Sequence, residues 1–424
     1  MNALPQPVVR YLASRASKGP WRISGTERHD FSMAVVIPAL AEGVSLPATL
    51  DSLAANPPDL LAETLILLVI NQRPDSTVED KDDNRHTLRK LTAGSWKHPG
   101  LQLAWIDAAS PGLELPTKDG GVGLARKIGF DLALQRLAYG QSDPLLIALD
   151  ADTLVRPDYL AALHGHFRNA VAGAATIPFC HQPGKNPTHE LAIARYELFL
   201  RCHLLGLTLA GSPYAFHTVG STMACRAMAY ARAGGMNRRR AGEDFYFLQQ
   251  LAKTTGVTQL SGTVVHPSAR PSNRTPFGTG RSVSALVTGD TAAVLFYPAT
   301  CYSLLGTWLQ LVSEQLEADG EMLMHLAQQH SAPLAEFLRN EKLPVIWDRL
   351  SVNHPRPKAR LKAFHDWFDG LKTTRLIHHL CATSFPRCQP ESVVPQLLEA
   401  AGLPLSSCLS EQLTILRSHQ GALA

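Results

Sequence analysis

The run Leu145-Leu146-Ile147-Ala148-Leu149, five apolar residues closed by Asp150-Ala151-Asp152, most constrains what this chain can fold into. A run so short and unbroken suits a strand buried on both faces, as in the middle of a parallel sheet. Open α/β sheets bind ligands outside the carboxyl ends of their strands, so the two aspartates stand where acids would meet a substrate. Carboxylates one residue apart repel each other unless a cation or protons intervene. A hard divalent ion that also grips phosphate oxygens answers that repulsion. The plain alternative is that the pair caps a helix running over residues 157–171.

Similar strand signals precede this one. Residues 33–37 form an apolar run stopped by Pro38, which cannot donate to a ladder and marks a strand end. An amphipathic helix is expected over 46–55, a second buried strand over 64–71, a polar loop over 72–84 and a third strand over 101–106, ending at Asp107. Strand and helix in alternation, joined by short connections, argue for a doubly wound parallel sheet. A fifth strand is expected over 174–178, a long helix over 189–209 and extended chain again over 219–225.

Between the third strand and the Asp150 strand lies Lys118-Asp119-Gly120-Gly121-Val122-Gly123-Leu124-Ala125-Arg126-Lys127. It lacks the Gly-Lys-Ser/Thr ending of a phosphate loop, and Arg126 stands where a dinucleotide fingerprint needs its third glycine. What remains is a glycine-rich entry to a helix reaching Tyr139, with Arg126 and Lys127 on its first turn. Cations there oppose the helix dipole, so they either face an anion or sit on a solvated helix end. A second acidic knot, Gly242-Glu243-Asp244, opens a helix continuing to Lys253, where carboxylates suit the dipole in any case. Arg238, Arg239 and Arg240 precede it, read as a solvated patch or as a receptor for a phosphorylated acceptor. The stretch 266–281 is rich in proline, glycine and serine and carries Arg270, Arg274 and Arg281, which reads as a mobile cationic loop. His164, His166 and His189 belong to no ligand constellation and are expected at the surface.

Bulk properties exclude several classes. A net charge of +4 over 424 residues is too mild to argue for nucleic acid. The 7 cysteines show no Cys-x-x-Cys pair, which fits a reducing cytoplasm better than a zinc site or a disulfide framework. Residues 1–30 are basic and lack an apolar core, so they are not read as a secretory signal. Residues 291–313 carry no charge; a span needs about 20 apolar residues, but Pro298, Gly306 and hydroxyl residues dilute this stretch. It reads as buried helix or a membrane-surface element.

Taken together, Val-Val-Ile-Pro-Ala-Leu-Ala-Glu at 35–42, Gly-Leu-Ala-Arg-Lys at 123–127, Leu-Asp-Ala-Asp-Thr at 149–153 and Gly-Glu-Asp at 242–244 resemble glycosyltransferase family 2. The pieces come in that family's order, and the resemblance covers residues 34–281. It implies the nucleotide-diphospho-sugar transferase (GT-A) fold, an α/β, Rossmann-like, mostly parallel sheet flanked by helices. The expected division is an extension over 1–32, the transferase domain over 33–285 and a helical C-terminal region over 286–424.

By position, the resemblance makes Asp150 and Asp152 the pair that holds Mg²⁺ or Mn²⁺ on the donor diphosphate, with His266 as a further metal ligand. Ala39, Glu42, Asn71, Arg126, Lys127 and Asp150 fall where the family contacts the donor nucleotide. Asp244, with Glu243 beside it, matches the catalytic base of inverting members, and Arg274 and Arg281 are expected to close over the diphosphate. Asn71-Gln72 departs from the family, many of whose members carry acidic residues there to grip the base. The implied activity is metal-dependent transfer of a sugar from a UDP- or GDP-sugar to an acceptor hydroxyl with inversion. A retaining enzyme and an inactive binding scaffold stand as alternatives. Nucleotidyl transfer is disfavoured, because Ala39-Leu40-Ala41-Glu42 replaces the glycine-rich, lysine-bearing loop it needs. The acceptor is open: a glycan, a lipid-linked sugar or a small molecule. The C-terminal helices are left three roles: binding acceptor, forming a homodimer or covering the sheet. The expected location is cytoplasmic, with peripheral contact at the inner face of the membrane as an extension of that reading.

Overall fold

The computed structural model describes residues 4–96, 98, 100–140, 142–272 and 278–423. Among these residues ten strands follow in order: β1 (Ile23–Ser24), β2 (Met33–Ala39), β3 (Thr64–Asn71), β4 (Gln102–Ala108), β5 (Leu145–Ala148), β6 (Leu154–Val155), β7 (Ala174–Thr176), β8 (Met223–Arg226), β9 (Val257–Gln259) and β10 (Val265–His266). Eight of them form one sheet in the order β1-β4-β3-β2-β5-β8-β7-β9. Its centre, β4-β3-β2-β5, is parallel, while β8 runs antiparallel to both β5 and β7. β2, β3 and β5 are buried along their whole length, which is why they read as unbroken apolar runs. The chain lays β3 and β4 to one side of β2 and then β5 to the other. The order therefore reverses between β2 and β5, and the carboxyl ends of strands at such a reversal are where open α/β sheets bind their ligands.

Pro38 does not end its strand. β2 continues through Pro38, opposite Val69, to Ala39. Leu149 donates to the carbonyl of Val36, so Val36 and, two residues on, Pro38 present their backbone toward β5. β5 has already ended at Ala148, and the missing N–H of Pro38 breaks no ladder bond.

Among the described residues, nine helices accompany the strands up to the second acidic knot: α1 (Gln6–Ser14), α2 (Leu46–Ala54), α3 (Pro58–Ala62), α4 (Val78–Thr92), α5 (Val122–Ala133), α6 (Tyr159–Asn169), α7 (Pro187–Leu209), α8 (Ala227–Ala233) and α9 (Glu243–Thr254). The polar loop expected over 72–84 turns into α4 at Val78. Thr77 caps it by accepting from the backbone N–H of Asp80 at 3.2 Å, and acids in its first turn and bases in its last suit the dipole. The glycine-led helix α5 gives way to a 3₁₀ turn over Leu134–Arg136, short of Tyr139. α6 likewise spans less than 157–171.

The chain divides into two compact units, Met1–Lys185 with His217–Arg281 and Gln420–Ala424, and Asn186–Phe216 with Ser282–His419. The second unit combines α7 with the remaining helices: α10 (Thr279–Val287), which starts in the first unit, α11 (Ala299–Glu314), α12 (Gly320–His330), α13 (Ala332–Asn340), α14 (Leu343–Asn353), α15 (Pro357–Trp367), α16 (Gly370–Thr383), α17 (Val394–Ala400) and α18 (Leu409–His419). Trp308, Trp347, Phe364 and Phe368 form its aromatic core, with Phe364 stacked on Phe368 at 5.6 Å between ring centroids. The uncharged stretch 291–313 becomes α11 and its approach, burying Cys301, Tyr302, Leu305, Trp308, Leu309 and Val312. Among the described residues no helix is long and apolar enough to cross a membrane.

Candidate functional site

At the reversal of strand order, the loops after β2 and β5 meet. The β5 loop turns sharply, Thr153 donating to the carbonyl of Asp150 at 3.1 Å, and Thr49 of α2 donates its hydroxyl to the carbonyl of Ala151 at 2.9 Å. These bonds hold Asp150 and Asp152 outward from the strand end. The β2 loop carries Glu42. Ala41 adopts the left-handed conformation, φ 50°, which disfavours any residue with a Cβ. Asn84 of α4 accepts from the N–H of Ala41 at 2.9 Å and donates to the carbonyl of Asn71 at 3.1 Å, stitching the β2 and β3 ends together. Asp83 adds an acceptor for Gly43 N–H at 3.0 Å. The unexpected helix thus supports the loop.

Arg270 bridges the two loops, its Nη2 paired with Glu42 and 3.2 Å from Asp152 Oδ2. On the other side Arg126, buried in α5, pairs with both Asp150 and Glu243. It lies deep because Gly129, one turn on, leaves no Cβ between α5 and Val36 of β2, and because Gly220 leaves room beside the guanidinium. The result is a continuous chain of charge: Glu42, Arg270, Asp152, Asp150, Arg126, Glu243 and Asp244.

Among the described residues, carboxylates outnumber guanidiniums along it, five to two. Burial, reinforced by the Asp150 and Glu42 carboxylates, pushes Asp152 up to about 6. Burial, together with the Glu243 carboxylate, pushes Asp244 up to about 7. Burial also raises Glu243. Burial alone would lower Arg126, but Asp150, Glu243 and Asp244 more than reverse it and hold the guanidinium firmly charged. Among the described residues, the buried polar atoms of this region without a partner include Arg126 Nε and Asn71 Oδ1 at the end of β3.

His266 follows from the small sheet, where β10 pairs antiparallel with β6 and sets His266 opposite Leu154. Gln182 donates from one amide nitrogen to the carbonyls of both Asp152 and His266 at 2.8 Å, tying the two segments. His266 Nδ1 lies 3.0 Å from the carbonyl of Cys180; only a protonated Nδ1 can bond there, which leaves the lone pair on Nε2. Among the described residues, no group of three or more His, Cys, Asp or Glu is arranged to hold a metal ion.

The other expected site residues fall as follows. Ala39 is buried at the end of β2. Arg126 and Lys127 sit past the first turn of α5 and are buried, facing the chain's own carboxylates rather than solvent. Lys127 belongs to a separate cluster, bonded to Tyr11 and 3.2 Å from Asp131. Arg281 is on α10 rather than a loop, exposed in its first turn, and Arg274 lies outside the described residues. Arg238, Arg239 and Arg240 are exposed, with Arg239 stacked over the Tyr246 ring at 3.7 Å. His189, expected at the surface, is buried near the start of α7. Sequence reasoning did not reach Arg270 as a bridge, Asn84 as a support or Gly220 as the wall beside Arg126. Only Asn84 left a local trace, the capped helix that carries it.

No family model matches the chain, and no curated protein does. Among solved structures it is similar to S. aureus TarS 1–349, at 12% identity over 76% of this chain and 92% of that one, with a TM-score of 0.38. It is similar to mannosyltransferase PcManGT from Pyrobaculum calidifontis in complex with GDP-Man and Mn²⁺, at 15% identity over 86% and 95%, TM-score 0.37. A third is glucosyl-3-phosphoglycerate synthase from Mycobacterium tuberculosis in complex with uridine diphosphate, at 16% identity over 67% and 82%, TM-score 0.33.

Proposed function

We propose that this chain is a glycosyltransferase that moves a sugar from a nucleoside-diphosphate sugar to an acceptor hydroxyl, with inversion. The observation that carries the reading is the excess of carboxylate where the strand order reverses, with Asp152 and Asp244 held up at about 6 and about 7. Acids raised by burial, and further by one another's charge, favour an added cation.

Hard carboxylate oxygens suit Mg²⁺ or Mn²⁺. Mg²⁺ is commonly held through one or two carboxylates, with substrate phosphates and water completing its shell. Asp150 and Asp152 would hold it, with His266, whose strand pairs with the one following Asp152, as a further ligand. Bound there, the cation would neutralise the leaving diphosphate. Arg126 keeps Asp150 and Glu243 oriented, and Arg270 holds Glu42 and Asp152 together. Asn71 offers its unpaired Oδ1 to a donor N–H on the nucleoside, beside Ala39 and Glu42. Arg281 supplies an exposed cation for the diphosphate. Asp244, raised by burial and by the Glu243 carboxylate, accepts the proton of the acceptor hydroxyl, as a general base tuned toward operating pH should.

The test is release of nucleoside diphosphate from UDP- and GDP-sugars by the purified chain with Mn²⁺. Metal-dependent release from one donor, abolished by chelation, is expected. Release that ignores chelation, or none from any donor while the nucleotides still bind, would sink the reading.

A further inference from the structure

The helical unit holds a pair of thiols brought into contact from distant sequence. Cys301 lies in the first turn of α11 and Cys381 in the last turn of α16, and their Sγ atoms are 3.8 Å apart. Cys301 is fully buried and Cys381 half-buried, so one is shielded and the other reachable by a small molecule. Cys388 stands on the neighbouring segment, pinned by paired backbone bonds with Phe296 at 2.9 and 3.0 Å. Arg387, adjacent to it, places its guanidinium 4.5 Å from the Tyr297 ring centre.

We propose that Cys301 and Cys381 form an oxidisable pair, converted by a hydroperoxide into a disulfide that joins α11 to α16. A disulfide needs its sulfurs about 2.05 Å apart, so they must close by about 1.7 Å, a movement of the order that side-chain rotation gives. The roles of the two sulfurs differ. The Cys301 hydrogen bond, helped by the Arg387 cation, holds the Cys381 thiol below its ordinary range despite burial. The same hydrogen bond and burial hold Cys301 far above it. The thiolate is the nucleophile, so Cys381 reacts first.

In the first step the Cys381 sulfur bonds to one peroxide oxygen and the O–O bond breaks. The alkoxide or hydroxide leaves and takes up a proton, and Cys381 becomes a sulfenic acid. In the second step the Cys301 sulfur bonds to the Cys381 sulfur and the S–O bond breaks. The departing hydroxide collects the Cys301 proton as water. Two electrons pass from the thiols to the peroxide, which ends as alcohol (or water) and water. Cys408 provides a gauge within the same molecule: it is fully exposed, and its hydrogen bond with the Ser410 hydroxyl lowers its thiol.

The experiment treats the full chain with graded hydrogen peroxide and maps its peptides by mass spectrometry without reduction. A cross-linked species joining the Cys301 and Cys381 peptides is expected, two hydrogens lighter than their sum and released by dithiothreitol. Cys388→Ser should leave that cross-link intact. Cys301→Ser should abolish it and leave a Cys381 sulfenic acid that dimedone captures. If Cys408 is oxidised while Cys301 and Cys381 still alkylate completely, the pair is inert and the proposal fails. It fails equally if Cys381 cross-links to Cys388 in preference to Cys301.

Discussion

Two neighbouring residues of α5 anchor two buried charge clusters of opposite character. Around Lys127, the Asp131 carboxylate accepts from Tyr11 Oη at 2.6 Å, Tyr230 Oη at 2.7 Å and the Ser17 N–H at 2.6 Å, with Lys127 Nζ 3.2 Å away. One acid meets one cation and three further donors, so both its oxygens are saturated. Around Arg126, among the described residues, carboxylates exceed cations, Asp152 and Asp244 are raised, and Arg126 Nε has no partner. A saturated cluster has nothing left to offer a ligand and serves the fold. An unsaturated one carries an electrostatic cost that a ligand can relieve. Burial alone would have ranked the two equal; completeness of pairing separates them.

Substitutions should therefore act in opposite directions in the two clusters. Asp131→Ala would strand Lys127 in the interior and is expected to destabilise the fold by about 3–5 kcal/mol in denaturant unfolding. Asp244→Asn should lower the rate of sugar transfer by roughly 10²–10⁴-fold, with donor affinity unchanged in equilibrium titration. The same variant should unfold no more easily than the wild type above neutral pH, because it removes a charge that the site disfavours. A matching loss of stability would break the contrast.

The pH dependence of cation binding sharpens the comparison. Asp152 and Asp244 are raised, so the folded chain holds their protons more tightly than the unfolded one does. Their contribution to stability is complete below the ordinary carboxylate range and is lost as pH rises through about 6 and about 7. Mn²⁺ should therefore raise the thermal midpoint little at about pH 5, and by roughly 2–4 °C or more at about pH 8. An equal rise at both would place the cation elsewhere. The smallest effect is expected from Tyr11→Phe, which leaves Asp131 with its other donors. It should cost about 1 kcal/mol in unfolding and leave donor affinity untouched.

Much of the sheet was legible because its strands announce themselves. Burial on both faces forces continuous apolar runs, and Thr64–Asn71 matches its expected bounds. The paired aspartates were legible too, since strand and acids are adjacent in sequence. α4 escaped because it presents no apolar stripe; its buried residues are Asn84, Thr87 and Leu91. Its trace was chemical instead, Thr77 three residues before Asp80. Arg270 and Tyr11 escaped for another reason. Arg270 meets Glu42 across 228 positions and Tyr11 meets Asp131 across 120, and no local pattern reports pairings that only the closed fold creates. α7 shows the same limit at the level of whole elements. It sits in mid-chain, yet Glu197 on it accepts from Arg417 on α18 at 2.7 Å, so it belongs with the C-terminal helices.

The central claim, that the unsaturated cluster is a metal-assisted donor site, is most directly tested by calorimetric titration. UDP, UDP-glucose, UDP-N-acetylglucosamine and GDP-mannose would be titrated with and without Mn²⁺ into the wild type and Asp152→Asn. The account predicts that one donor binds, that binding requires the metal, and that Asp152→Asn abolishes it while Tyr11→Phe does not. Binding that persists without metal and survives Asp152→Asn would contradict it.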